Sequence, residues 1–214
     1  MKILDLFSGT QSISSVFREK GWETYTIDFN PVFTDTDWQI DILKVTAQDI
    51  LDRFGRPDVI WASPDCTSYS IAAISHHRTQ EPDGHLAAKS DYAKFCDEVN
   101  QHVLGLVKEL NPTYYFIENP RGGILKMRWM SDLPRYTVWY CQYGDTRAKP
   151  TDLWTNHPNP KFKPVCRNGN PDCHHQRAKR GAKTGTQGLK GSIERSKIPK
   201  ELCEHIFEIA SEGQ

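Results

Sequence analysis

Of all residues in this sequence, Cys66 is the best placed to take part in a chemical reaction, because it follows directly on a strand and a turn. The apolar run at residues 58–62 predicts a buried strand, and the turn Ser63-Pro64-Asp65 separates that strand from Cys66. Ligands bind at the carboxyl edge of the strands in open α/β sheets. A thiol held at that edge can act as a nucleophile. We therefore expect a catalytic site around Cys66.

Two further apolar runs end in residues that suit a binding site. Residues 3–7 lead into a turn that contains Gly9, and residues 114–117 lead into Glu118 and Asn119. If the three strands are parallel, their turns meet at one edge of the sheet. A glycine turn, a thiol and a carboxylate would then line one crevice, which indicates an enzyme.

Short β-branched or aromatic runs alternate with helical stretches, which is typical of βαβ units. We predict an α/β fold with a doubly wound, mostly parallel sheet. Strands are expected at residues 2–7, 23–28, 40–42, 58–62, 113–118, 136–141 and 151–154. Helices are expected at residues 11–20, 45–54, 89–110 and 198–210. The polar stretch 70–88 shows no sustained periodicity, and we expect it to be a long loop that closes over a substrate.

The composition is ordinary for a soluble globular protein, with 37% hydrophobic and 25% charged residues among 214. No run approaches the roughly 18 apolar residues of a membrane span, so we expect no membrane partner. The six cysteines, without a secretory leader, favour a reducing compartment and argue against a disulfide framework. We expect a monomeric, cytoplasmic protein.

The net charge of zero conceals an uneven distribution of charge along the chain. Residues 161–200 contain 11 lysines and arginines but only two acidic residues, whereas the first 60 residues contain six basic and ten acidic side chains. A basic segment in an otherwise acidic chain suits a face that meets a polyanion. The alternative is a solvated, flexible basic loop.

Three motifs together resemble those of DNA (cytosine-5) methyltransferases. Asp5-Leu6-Phe7-Ser8-Gly9 is similar to the strand and glycine turn that open the family's fold. Ser63-Pro64-Asp65-Cys66 resembles the family's Pro-Pro-Cys turn, and Glu118-Asn119-Pro120 resembles its Glu-Asn-Val motif. The resemblance covers most of residues 1–155 and again 193–210. It implies a Rossmann-like, S-adenosylmethionine-dependent methyltransferase fold with a small basic insertion.

The resemblance also implies roles for individual residues. Cys66 would attack C6 of a cytosine flipped out of double-stranded DNA, Glu118 would hold N3 of the ring, and the methyl group would go to C5. Arg147, in a segment similar to a later family motif, would contact the base or its phosphate. The residues expected to bind S-adenosylmethionine are Asp5, Phe7, Gly9, Asp28, Asp41 and Pro64. Those expected to contact the substrate are Ser70, Asn119 and Lys149.

Asp65 departs from the family pattern at a position that matters chemically. It takes the place of the proline directly before the cysteine. A carboxylate next to a thiol raises the thiol pKa and disfavours the thiolate, unless the side chain points away.

Three segments are expected along the chain. Residues 1–155 would form the catalytic, cofactor-binding domain, residues 156–192 a short basic target-recognition segment, and residues 193–214 a helix that returns to the catalytic domain. Basic residues in the middle segment alternate with glycines and would approach DNA phosphates: Lys179, Arg180, Gly181, Lys183, Gly185, Gly188, Lys190 and Gly191. Phosphate contacts carry no sequence information, so we predict a short or degenerate recognition site.

A second constellation of residues could bind a metal. Cys166, Cys173, His174 and His175 fall within ten residues that also contain glycine and proline, and two thiols with two imidazoles suit zinc. The spacing is not that of a standard zinc knuckle. The alternative is that Cys173 is incidental and the two histidines contact phosphate.

Other functions stay open on the sequence alone. An RNA cytosine-5 methyltransferase, or an enzyme that transfers a modified one-carbon group, would fit the same residues. A catalytically silent DNA-binding module of the same fold would not need Cys66 or Glu118, and a different Rossmann-like enzyme would leave Glu118 unexplained. The small size resembles an accessory or virus-borne enzyme that acts in a host cell.

Overall fold

The computed structural model describes residues 1–176, 189 and 191–212. In these ranges the strands are β1 (Lys2–Leu6), β2 (Glu23–Asp28), β3 (Trp38–Gln39), β4 (Val59–Ala62), β5 (Arg78–Gln80), β6 (Leu86–Ala88), β7 (Tyr114–Pro120), β8 (Arg135–Trp139) and β9 (Pro150–Thr155). The helices are α1 (Ser12–Glu19), α2 (Ala47–Phe54), α3 (Ile74–His77), α4 (Asp91–Leu110), α5 (Ser192–Ser196) and α6 (Lys200–Ser211).

Seven of the strands form one sheet in the order β3-β2-β1-β4-β7-β9-β8, and β5 and β6 form a separate antiparallel pair. β1 is parallel to β2 and β4, and β4 is parallel to β7, whereas β9 is antiparallel to β7 and β8. The predicted mostly parallel α/β sheet is confirmed. Because β2 and β4 flank β1 on opposite sides, the strand order reverses at β1. Such switch points are where open α/β sheets bind ligands.

Apolar side chains cover both faces of the sheet, as expected for parallel strands that read as continuous apolar runs. On one face, α2 and α4 pack against side chains that include Leu4 and Ile60. On the other face, α1 and α6 pack against Ile3 and Trp61. The helix near the end of the chain therefore completes the core beside the first helix.

Local sequence signals set the ends of the two helices that lead into β4 and β7. Thr46 and Asp49 form a reciprocal capping box at the start of α2, and Gly55, with φ 75°, ends it. The Ser90 hydroxyl accepts a hydrogen bond from the amide of Ala93 at the start of α4. Asn111, with φ 45°, ends α4, so the chain leaves α2 and α4 at defined residues before it enters β4 and β7.

The strand expected at residues 40–42 is wrong, because the chain has already left the sheet there. β3 ends at Gln39, and the amide of Ile40 donates to the carbonyl of Asp28 at 3.1 Å. Asp41 then caps a 3-10 turn over Ile42–Lys44, its Oδ1 accepting from the amide of Leu43 at 3.1 Å. The carboxylate outcompetes continued strand pairing by satisfying a local amide.

Residues 70–88 are more ordered than an aperiodic loop. They form α3 and the β5–β6 pair, and Arg78, the first residue of β5, is buried. The elements are three or four residues long, too short to show a periodicity. The expected closure of this stretch over a substrate stays a prediction.

Most of the predicted phosphate-binding residues lie outside the described residues: Lys179, Arg180, Gly181, Lys183, Gly185, Gly188 and Lys190. Gly191 is described and has φ 87°. The boundaries between the three expected segments stay predictions. No helix in the part of the chain that the structure describes is long and apolar enough to cross a membrane.

Candidate active site and Cys/His cluster

The turn after β1 is bound to the end of β2. The amides of Phe7 and Ser8 both donate to the carbonyl of Ile27, at 2.8 and 3.2 Å. The amide of Gly9 donates to Asp28 Oδ2 at 2.9 Å. Phe7 and Gly9 adopt φ angles of 60° and 46°, which is uncommon for phenylalanine and typical of functional turns. The predicted residues Phe7, Gly9 and Asp28 therefore lie together.

This turn carries a buried donor that the structure leaves available. Ser8 Oγ is buried and has no hydrogen-bond partner among the described residues. A buried hydroxyl without a partner costs free energy unless a ligand or water satisfies it. Asp41 lies at the same edge, directly after β3, which pairs with the end of β2. These polar groups fit a ligand with hydroxyl and amino groups, such as a nucleoside.

Asp5 lies apart from these groups. It is 2% exposed and points to the same face of β1 as Ile3, the face covered by α1. Burial raises the pKa of Asp5 to about 7, and Ser14 in the first turn of α1 opposes that shift. Asp5 is thus inside the core rather than at the end of the strand.

Cys66 lies four residues beyond the end of β4, in a turn that is bound to the neighbouring strand β7. The amide of Tyr69 donates to the carbonyl of Cys66 at 3.1 Å, which closes a 3-10 turn. The buried side chain of Asn119 in β7 donates to the carbonyl of Pro64 at 3.1 Å. Because Ala62 and Ile117 are paired in register, this bond places the thiol turn beside Glu118.

The Asp65 carboxylate is hydrogen-bonded to the Thr67 amide and to Tyr92 in α4. Its Oδ1 accepts hydrogen bonds from the amide of Thr67 at 2.7 Å and from the hydroxyl of Tyr92 at 2.9 Å. The carboxylate therefore has its own partners. The negative charge of Asp65 still raises the pKa of Cys66, but less than burial and Glu118 do.

The surroundings of Cys66 disfavour its thiolate. Burial, then the Glu118 carboxylate, then Asp65 raise the pKa of Cys66 to about 11, while Lys149 lowers it. Burial also raises the pKa of Glu118, and Lys149, Tyr140 and Ser63 oppose that shift. The Glu118 carboxylate thus raises the pKa of Cys66, and Lys149 lowers the pKa of both groups.

Lys149 and Tyr140 contact each other beside Glu118. Lys149 is 7% exposed, and its Nζ lies 4.6 Å from the centre of the Tyr140 ring and 3.3 Å from the carbonyl of Arg195. The Tyr140 hydroxyl donates to Glu118 Oε1 at 3.3 Å. The predicted residue Lys149 is therefore part of the site.

Arg147 is held in place by Asp145 but keeps a free donor. Nε and Nη2 of the guanidinium bind the Asp145 carboxylate, and the amide of Arg147 donates to Asp145 Oδ1 at 2.8 Å. Its Nη1 is buried and has no hydrogen-bond partner in the described part of the chain. That nitrogen is available to an oxygen of a ligand.

The segment after Cys66 is fixed by a buried ion pair. Arg78 donates to the Ser68 carbonyl at 3.0 Å, to Ser68 Oγ at 2.9 Å and to Asp97 Oδ1 at 2.8 Å. Its guanidinium also lies 4.0 Å from the centre of the Tyr69 ring. The predicted residue Ser70 directly follows this anchored turn and is half-buried.

A cluster of four possible metal ligands lies behind Tyr140. Ligand atoms of Cys141, Cys166, Cys173 and His175 all lie within 4.8 Å of one another. We refer to these four residues as the Cys/His cluster. The expected ligand His174 is not part of it: its Nε2 lies 3.0 Å from the carbonyl of Asp145. Cys141 takes the fourth position.

Sequence reasoning missed four residues of these sites: Ser8, Arg78, Tyr140 and Cys141. Ser8 belongs to the first motif, but serine is common in turns before glycine and gives no signal of its own. Arg78 is in a polar stretch that reads as surface. Cys141 lies 25 residues before Cys166, the nearest other member of its cluster, and Tyr140 lies 22 residues after Glu118. No local spacing therefore links these residues to their partners.

The chain is 31% identical over 224 residues to a protein named "Probable DNA (cytosine-5)-methyltransferase" from Frog virus 3 (isolate Goorha). That match covers 98% of this chain and 100% of the viral protein. No protein-family model matches the chain.

Among solved structures, the Entamoeba histolytica methyltransferase EhMeth is similar with a TM-score of 0.51 and 13% identity, over 76% of this chain and 55% of that one. The S. pombe Dnmt2 methyltransferase has a TM-score of 0.49 and 16% identity, over 72% of this chain and 48% of that one. The chain spans about half the length of these solved structures. The likeness to EhMeth agrees with the observed α/β sheet.

Proposed function

Because this chain belongs to the family of DNA (cytosine-5) methyltransferases, we propose that it transfers a methyl group from S-adenosylmethionine to C5 of cytosine in double-stranded DNA. The observation that carries the proposal is that the Cys66 turn is bound to β7 beside Glu118, whose carboxylate raises the pKa of the thiol, while Lys149 lowers the pKa of both groups. A nucleophile beside a carboxyl group that can take up and give back a proton is the pair that addition to a cytosine ring requires.

The groups at the ends of β1 and β2 fit the proposed cofactor. Asp28 would accept hydrogen bonds from ribose hydroxyls, Asp41 from the adenine amino group, and the unpaired Ser8 hydroxyl would bind a polar atom of the methionine part. Phe7 and Pro64 would pack against the cofactor. When bound, S-adenosylmethionine supplies the methyl group to a nucleophilic carbon. Asp5 would act only by positioning the turn from inside the core.

The proposed reaction begins when Cys66 loses its thiol proton to solvent and becomes a thiolate, which Lys149 favours. Its sulphur adds to C6 of a cytosine flipped out of the duplex, which forms the S–C6 bond and moves the C5–C6 π electrons toward C5 and the ring. Glu118, whose pKa is raised by burial, holds a proton at N3 and stabilises the developing negative charge. Once C5 carries the methyl group, a base removes the C5 proton and Cys66 leaves.

The cationic residues would steady the substrate. Lys149 favours the thiolate of Cys66 and the charge that develops on the ring. Arg147 presents its unpaired Nη1 to the base or its phosphate. Asn119 holds the Cys66 turn through Pro64, and Ser70 lies where the chain leaves that turn. Each of these proposed roles can be tested by substituting the residue.

The wider proposals concern the DNA and the setting. Residues 156–192 would form the DNA-recognition segment of a monomer, with residues 1–155 as its catalytic domain and 193–214 as the returning helix. The viral origin of the similar protein and the six free thiols favour an enzyme that acts inside a host cell. We also propose zinc as the occupant of the Cys/His cluster, since three thiols and an imidazole suit it.

The proposed function is tested by methyl transfer from labelled S-adenosylmethionine to duplex DNA, with nucleoside mass spectrometry as the readout. We expect 5-methylcytosine in DNA from the wild type and none from Cys66→Ser, which retains the size of the side chain. Matched RNA duplexes and transfer RNA are the second arm. Transfer to RNA alone would favour an RNA methyltransferase, and cofactor binding without any transfer would favour a silent binding module.

A further inference from the structure

The segment that carries three of the Cys/His cluster residues has almost no core of its own. Along residues 161–176, all of which the structure describes, His175 is the only buried residue. Polar segments of this kind do not gain enough from apolar burial to hold one conformation, and structural metals commonly supply the missing free energy. A metal ion bound at the cluster would supply the free energy that this segment does not gain from apolar burial.

The geometry and chemistry of the cluster match a tetrahedral zinc site. A Zn–S bond of about 2.3 Å places tetrahedral ligand atoms about 3.8 Å apart, so the observed limit of 4.8 Å needs only a small contraction. Cys166 Sγ already lies 3.9 Å from His175 Nδ1. Zinc binding to the three sulphur atoms would displace their protons, and binding to Nδ1 of His175 would leave the imidazole proton on Nε2. The amide of Gly169, which now donates to Nε2 at 3.0 Å, would then have to move.

Groups around the sulphur atoms support thiolate ligands. The side-chain amide of Asn170 lies 3.7 Å from Cys166 Sγ, and that of Gln142 lies 3.9 Å from Cys173 Sγ. Amide donors directed at sulphur stabilise its negative charge and orient the ligand. One of these donors comes from each of the two segments that the cluster joins.

The cluster joins the polar segment to the loop that carries the catalytic cations. Cys141 follows Tyr140, whose hydroxyl binds Glu118. Beyond the cluster, His174 contacts the carbonyl of Asp145, and the amide of Gln176 donates to the carbonyl of Thr146 at 2.7 Å. A parallel bridge also pairs Gln176 with Arg147. The segment thus rests on the turn that holds Arg147 beside Asp145.

We propose that Cys141, Cys166, Cys173 and His175 bind one zinc ion that clamps residues 166–176 onto the 140–149 loop and so positions Arg147 and Tyr140 for DNA. The inference rests on the proposed function. Zinc is a positioning element here: it touches neither cytosine nor cofactor. The cofactor-binding turns at β1 and β2 lie on other elements, so metal removal should weaken DNA binding and leave S-adenosylmethionine binding unchanged.

The ligand set is tested by metal analysis of the purified full chain and of paired variants. We expect about one zinc per chain in the wild type and in His174→Gln, and a loss of zinc in His175→Gln and in the half-buried Cys173→Ser. Cobalt substitution should give the absorption of a tetrahedral thiolate site in the wild type and in His174→Gln, but not in His175→Gln or Cys173→Ser. Absence of metal from the wild type, or zinc loss in His174→Gln with retention in His175→Gln, would overturn the site.

The positioning role is tested by chelation and zinc return, with duplex DNA and S-adenosylmethionine affinities measured separately. We expect chelation to weaken DNA binding about tenfold or more, the loss expected for misplaced charged contacts, with cofactor affinity unchanged and full recovery on adding zinc. DNA binding that is indifferent to zinc would overturn the inference. Zinc-dependent DNA binding without methyl transfer would contradict the proposed function alone.

Discussion

Replacing Glu118 by glutamine is expected to lower methyl transfer by about two to four orders of magnitude while making Cys66 more reactive toward a simple alkylating agent. The loss follows because glutamine cannot give a proton to N3, so charge on the ring is not neutralised. The gain follows because the Glu118 carboxylate is the second-largest cause that raises the pKa of Cys66 to about 11. Removing that negative charge lowers the thiol pKa, so alkylation begins at lower pH.

Two variants control this result. Lys149→Met should shift the pH dependence of Cys66 alkylation upward, since Lys149 lowers the thiol pKa. Asp65→Asn should shift it downward by less than Glu118→Gln, since Asp65 is a smaller cause and is bound to Thr67 and Tyr92. Peptide-resolved mass spectrometry separates Cys66 from the other cysteines. An unchanged alkylation profile in Glu118→Gln would contradict the proposed coupling between the two groups.

Arg78→Met is expected to lower the free energy of unfolding by about 3–5 kcal/mol, because it leaves Asp97 without its buried partner. The Arg78 side chain is 0% exposed and that of Asp97 is 14% exposed, so water cannot fully replace the lost bonds. Four further contacts are lost, two to Ser68, one to the sulphur of Met127 and one to the ring of Tyr69. Ser68 lies two residues after Cys66, so losing its bonds to Arg78 loosens the Cys66 turn. We therefore expect folded Arg78→Met protein to react with DNA more slowly than the wild type.

Arg128→Met is the matched control for this prediction. Arg128 pairs with Glu81 and Asp83 in the turn between β5 and β6, but its side chain is 59% exposed. Exposed pairs contribute little, so the expected loss is below about 1 kcal/mol. Urea unfolding measures both. Equal losses for the two variants would refute the idea that the Cys66 segment depends on the Arg78–Asp97 pair.

The sheet and its active edge could be predicted because each strand that matters carries a continuous apolar run and ends in a turn signal. The runs before Gly9, Cys66 and Glu118 became β1, β4 and β7, which lie side by side. The error at residues 40–42 has a local cause. Alternating Ile40-Asp41-Ile42 reads as a strand, but the Asp41 side chain caps a turn instead.

Other features could not be predicted because they join residues far apart in the sequence. Arg78 can be buried because Asp97 and Ser68, on other elements, accept its hydrogen bonds. Cys141 joins the Cys/His cluster across 25 residues from Cys166, whereas spacing rules for metal sites look for ligands a few residues apart. His174 looked equivalent to His175, but the chain places its imidazole against Asp145.

The central claim is that Cys66 forms a covalent bond with cytosine in DNA. The most direct test is to incubate the protein with S-adenosylmethionine and duplex DNA containing 5-fluorocytosine, in which fluorine blocks removal of a proton from C5. We expect a protein–DNA adduct with the summed mass plus one methyl group and minus the thiol hydrogen, mapped to the Cys66 peptide and absent from Cys66→Ala. An adduct that persists in Cys66→Ala, or none in a wild type that binds both DNA and cofactor, would contradict the claim.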